Sequence, residues 1–178
     1  MFLLIFMMMF LCACTGSVIN SSAPVPINMH DRMAVLPFSN HTETPLAGER
    51  AKSITAALLE SKCVYNLAVY QNHYQGRILF PGMNKVDSQR ALLRWARRVH
   101  ARYVMTGSVN EWSYKVGLDG EPVVGVSMQL IDLCAGQIIW TSVGSMSGGS
   151  RTAVSTLAQD LMNTMLNGLF CHRCRHGR

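Results

Sequence analysis

The sequence is poor in charge and in aromatic rings. Asp, Glu, Lys and Arg make up 15% of it, and Phe, Trp and Tyr 8%. So low a charged fraction fits a protein whose surfaces are buried or covered by partners. The marks of catalysis are missing. There is no G-x-S-x-G nucleophile turn, no H-E-x-x-H and no phosphate-binding loop, and His30, His41, His73 and His100 are scattered without a partner at ligand spacing. No nucleophile, base and orienting group stand together, so an enzyme is not expected. Excess positive charge is scarce too. The formal net charge is +6, and removing Arg173, Arg175 and Arg178 at the end leaves +3. That is too little to argue for nucleic acid.

What is present is a core. At 178 residues with 49% apolar content, the chain is long enough for one domain and a leader. The leader is an apolar run from Met1 to Phe10. It is too short for a membrane span, which needs about 20 residues, and reads as a signal-peptide core. It has no Lys or Arg ahead of the run, where a signal peptide expects positive charge. Leu11-Cys12-Ala13-Cys14 fits a lipobox, with a small residue before the Cys because the peptidase pocket at the cut is tight. The organisation expected is a signal peptide over 1–13, a tether lipidated at Cys14 over 14–30, a globular domain over 31–170 and a basic Cys/His tail over 171–178. Thr15 follows Cys14, so nothing signals retention in the inner membrane. The tether is small and polar, with Pro24 and Pro26. Such a segment does not fold by itself, and at about 3.3 Å per residue it would reach some ~50 Å.

Hydrophobic periodicity divides the domain into strand, helix, strand, helix, three strands and helix. Residues 33–38 are a continuously apolar strand, with Pro37 marking the end of its pairing. Thr44 is placed to cap a helix with Pro45 at its first position. A short strand over 64–70 and a long loop over 71–86 follow. Leu92, Trp95, Ala96 and Val99 form the stripe of the second helix, and Arg90, Arg94, Arg97 and Arg98 its basic face. Then come three strands joined as an antiparallel meander, with Asp119-Gly120 in the first turn. Val124, Val126, Met128 and Leu130 alternate with Val123, Gly125, Ser127 and Gln129 in the middle strand. The last helix carries Val154, Leu157, Ala158, Leu161, Met165 and Leu169 on one stripe. The expected fold is a single α/β domain of α+β type. Its mixed, mostly antiparallel sheet has helices packed on one face.

Cys63, Cys134, Cys171 and Cys174 remain once the leader is removed and Cys14 is modified. In an oxidising compartment they can pair in three ways, among which sequence does not choose. Cys63 and Cys134 can equally be buried thiols. Cys171-x-x-Cys174 with His176 is half a metal site at most, so no metal and no cofactor is expected beyond the lipid on Cys14. Trp112 and Trp140 read as core.

Two segments carry a resemblance. TGSVNEWSYKVGLDGEPVVGVSMQLIDL, together with MAVLPFSNHTETPLAGERA, resembles the PelC family, lipoproteins of the Pel exopolysaccharide export system, over residues 32–167. TGSV-x-EW and KVGLDGEP are its specific parts. AVLPF-N-T is shared with other envelope lipoproteins and with TolB-like domains. The resemblance implies an outer-membrane-anchored periplasmic lipoprotein that forms a ring with its own copies. The ring works with the outer-membrane exporter PelB and guides a cationic polysaccharide. A closed ring needs heterologous interfaces, and a cationic polymer favours an acidic lumen. Asp119 and Glu121 are the pore-lining candidates, although Asp119 is equally a turn residue. Arg90, Arg94, Arg97, Arg98 and Lys115 are the candidates for contact with another subunit or partner. Solvated surface is the plainer role of the arginines. Gly148-Gly149-Ser150 stands where family members carry an aromatic, so no membrane-facing ring is expected there. The alternative is a monomeric envelope lipoprotein that regulates a protein partner without touching glycan.

If Cys14 is the lipidation site, Cys14→Ser yields a soluble periplasmic protein or an uncleaved precursor, because stable anchoring needs more than one acyl chain. Membrane fractionation with radioactive palmitate labelling checks this. Label and outer-membrane residence retained by Cys14→Ser would refute it.

Overall fold

The computed structural model describes residues 16–71, 89–115 and 120–170. The strands are β1 (Ser17–Ser21), β2 (Met33–Asn40), β3 (Leu67–Val69), β4 (Tyr103–Tyr114), β5 (Pro122–Asp132) and β6 (Gln137–Ser147). The helices are α1 (Ala47–Ser61), α2 (Gln89–Arg98) and α3 (Val154–Asn167). The six strands form one sheet in the order β1-β6-β5-β4-β2-β3. β4, β5 and β6 make the expected antiparallel meander. β2 lies parallel to both β4 and β3. The fold class and the order of elements after residue 31 are those expected.

The helices do not share a face as expected. Val35, Met105, Val126 and Leu130 point to the side covered by α1 and α3, where they join Leu59, Leu161 and Met165 in the main core. Ala34, Leu36 and Val104 point the other way, to a smaller cluster built with Leu92 and Ala96 of α2. Connection handedness explains the split. The chain steps from β2 outward to β3, then back across β2 to β4. Right-handed crossovers in opposite directions place their helices on opposite faces.

The tether expectation is corrected from residue 17 onward. β1 pairs antiparallel with the edge of β6, from Ser17 opposite Met146 to Ser21 opposite Ser142. Beyond it, the Val25 N–H donates to the Leu169 carbonyl at 3.2 Å, and Val25, Ile27 and Met29 pack against the main core. Two local details also differ. Pro37 does not end the strand. The β2–β4 register shifts between Val35 and Phe38 and pairing resumes to Asn40, because a residue without an N–H is accommodated by a bulge. Thr44 does not cap α1. Leu46, at φ 61°, takes the N-cap position without a side-chain bond, while the Thr44 hydroxyl donates to the Trp112 carbonyl and ties the loop to β4.

Trp112 and Trp140 are fully buried, as expected. α1 and α3 are joined at their ends by Lys62, whose Nζ donates to Asn163 Oδ1 at 2.7 Å and Asn167 Oδ1 at 2.6 Å. Partial burial lowers its pKa. Lys52 is buried beside the sheet, paired with Glu49 and donating to the Tyr70 carbonyl at 3.0 Å. That satisfies a charge that would be costly alone.

α1 sits hard against β2 at Gly48. A Cβ there would lie 2.2 Å from the Phe38 carbonyl oxygen. Gly48→Ala gains about 1 kcal/mol of helix propensity, but overpacking against backbone costs about 1–3 kcal/mol. Thermal unfolding should therefore show a lower melting temperature. A higher one would mean that α1 shifts without cost.

Candidate functional site

The functional candidates fall on three surfaces. The first is the end of the sheet where the β4–β5 connection lies. Tyr114 pairs with Pro122, the Lys115 N–H donates to the Glu121 carbonyl at 2.7 Å, and Lys115 Nζ stands 4.0 Å from Glu121 Oε2. Both side chains are about half exposed, so this pair is weak. Glu121 is thus displayed at the sheet end with Lys115 beside it. Asp119, the other pore-lining candidate, lies outside the described residues. Ser17 of β1 reaches the same end of the sheet, opposite Met146.

The second surface is the outer side of α2, whose exit lies at the other end of the sheet. α2 presents Arg90, Arg94, Arg97 and Arg98, all exposed. Arg32 fixes the exit of this helix, donating from its guanidinium to the Val99 carbonyl at 3.0 Å and from Nε to Asn66 Oδ1 at 2.9 Å. Close by, Arg102 donates to Asp132 Oδ2 at 2.9 Å. That bond, with the Ala135 and Cys134 backbone N–H groups, holds the Asp132 carboxyl below its usual pKa. Asp132 accepts both backbone donors and so shapes the β5–β6 turn.

The third surface escaped sequence reasoning. On the face opposite α1 and α3, a cavity of about 620 Å³ opens over β1, β6, β5 and β4. Asn20, Ser108, Ser127, Gln129 and Thr141 are among its lining residues. The Asn110 amide donates to Ser127 Oγ at 2.9 Å, and Ser22 Oγ accepts from the Thr141 N–H at 3.0 Å. Uncharged donors and acceptors prevail, with the exposed Val143 among them. The groove depends on β1, and the one sequence signal for that strand is the β-branched pair Val18-Ile19.

Cys63 is disulfide-bonded, which sets aside its reading as a free thiol. Its partner lies outside the described residues, as do Cys14, Cys171 and Cys174. Cys134 is free and exposed, not buried. Among the described residues no group of three His, Cys, Asp or Glu could hold a metal ion. No described helix is long and apolar enough to cross a membrane.

Comparison with known proteins adds the following. A family model described as peptidoglycan-synthase activator LpoB matches residues 17–146. No match was found among curated proteins. Among solved structures, the PelC dodecamer from Paraburkholderia phytofirmans is similar at 34% identity and a TM-score of 0.74, over 89% of this chain and 100% of that one. A point variant of that PelC, also a dodecamer, gives 32% identity and the same TM-score, over 88% and 100% of the two chains. Lipoprotein GNA1162 from Neisseria meningitidis, at 20% identity and a TM-score of 0.53, covers 77% of this chain and 96% of its own, and shares the fold. The match to PelC runs the length of that chain and the LpoB model takes in β1 through most of β6, so this chain belongs to the PelC family and to the wider family that the LpoB model describes.

Proposed function

We propose that this chain is a non-catalytic lipoprotein, anchored in the outer membrane through Cys14. It closes into a periplasmic ring with its own copies and guides a cationic exopolysaccharide to the outer-membrane exporter PelB. The observation that carries this reading is its 34% identity to a PelC that forms a dodecamer, with all of that chain matched. β1 adds a physical consequence. Ser17 follows Cys14 by three positions, so a lipid there would hold the β1 end of the sheet within about 10 Å of the bilayer surface. The domain would then sit on the membrane in a fixed attitude, and a fixed attitude is what a ring coaxial with an exporter requires.

In such a ring the β4–β5 loops are repeated once per subunit. A single exposed charge contact is worth only about 0.2–1 kcal/mol. Summed around a ring, Asp119 and Glu121 would still set a potential that concentrates a cationic polymer without trapping it. The LpoB match favours a second reading, in which the same domain acts as a monomer on a protein partner and never meets glycan.

Asp119 separates charge from turn geometry. If its charge acts in the lumen, Asp119→Glu keeps most polysaccharide export, Asp119→Ala reduces it and Asp119→Lys reduces it further, all at equal protein level. Full export from Asp119→Asn with poor export from Asp119→Glu would show that the turn alone matters.

A further inference from the structure

The four arginines of α2 have no use in the reading above. They are exposed, and α2 holds no acidic residue. The ion pairs among the described residues join Lys52 to Glu49, Arg102 to Asp132 and Lys115 to Glu121, and none involves this helix. Arg97 and Arg98 in the last turn suit the helix dipole. Arg90 and Arg94 do not have that excuse. Like charges this close repel one another, which a complementary partner would relieve. Between the arginines, Trp95 is half-buried, held edge-on against Tyr70 at 5.0 Å, and Leu93 is half-buried on the same cluster. Arg and Trp together are the composition of protein–protein hot spots, and a guanidinium fork matches a carboxylate in two-point geometry.

The topology argues against the membrane as the occupant. Ser17 lies at the Met146 end of β6 and the Trp112–Val124 end of the meander. α2 runs into Tyr103 at the opposite end, where Tyr103 pairs with Asp132. β4 alone spans 12 residues, about 40 Å at ~3.3 Å each. With the lipid on Cys14, as proposed above, the tip of α2 points away from the bilayer. A second copy is disfavoured by charge. Glu60, Glu111 and Asp160 sit on separate elements and Asp31 and Glu43 in separate loops, and no described element offers a run of carboxylates to match four arginines.

We propose that the arginine face of α2 is a docking surface for an acidic segment of a protein partner beyond the membrane-distal end of the domain. The test measures binding of the full mature chain to poly-L-glutamate, with vesicles of anionic phospholipid in a parallel arm. Arg94→Gln with Arg97→Gln should weaken poly-L-glutamate binding tenfold or more, and flatten its salt dependence. Arg50→Gln with Arg151→Gln removes the same charge from exposed sites elsewhere and should change it less than twofold. Equal losses from the two pairs would overturn the proposal, as would tighter binding to the vesicles. Oligomer dissociation in the α2 pair would overturn it in favour of a second copy. Unchanged melting curves for all variants keep these outcomes separate from misfolding. A failed docking test leaves the ring reading standing, because ring size is measured independently.

Discussion

The structure depends on β4 being paired on both sides. Along one edge it runs antiparallel to β5 from Tyr103 opposite Asp132 to Tyr114 opposite Pro122. Along the other it lies parallel to β2. It is the junction between a local meander, which hairpins assemble, and a crossover unit, which only long-range contacts fix. Both faces of its first half are buried under helices, Met105 toward α1 and α3, Val104 toward α2. Gly107 marks how tightly the junction is made. A Cβ there would lie 2.1 Å from the Ser127 carbonyl oxygen and 2.6 Å from the Phe38 ring.

From this junction the two ends of the molecule acquire different characters. One gathers the start of β1, the β4–β5 connection and the β6–α3 segment. The Gly148 N–H donates to the Pro122 carbonyl there at 3.0 Å. The other gathers the exit of α2, Arg32 and the Arg102–Asp132 pair. A lipid at the amino terminus would convert this difference into a membrane-proximal and a membrane-distal pole. The open groove on the helix-free part of the sheet lies between them, uncharged where the poles are charged.

Much of the fold was legible because meander strands are local and carry a clear period of two. Val124, Val126, Met128 and Leu130 gave the buried face of β5 directly. The apolar stripes of α2 and α3 were equally plain. A stripe tells which side of a helix is buried, however, not which side of the sheet it covers. That needed the strand order, which follows from pairings far apart in sequence. β1 was hidden for a related reason. Ser17-Val18-Ile19-Asn20-Ser21 is exposed except at Ile19 and mostly polar, and becomes a strand because β6 offers an unpaired edge. The cap at Thr44 failed because the hydroxyl found a tertiary acceptor on β4 instead. Of the candidate site, the arginines and Lys115 stood out by charge and Glu121 through the family resemblance, and all are exposed. The groove went unseen with β1.

The central claim is that copies of this domain close into a ring. Native mass spectrometry of the chain beginning after Cys14, without detergent, measures it most directly. The account predicts one discrete assembly of many subunits, comparable to the dodecamers of its relatives. A subunit-sized species alone, persisting as concentration is raised, would contradict it.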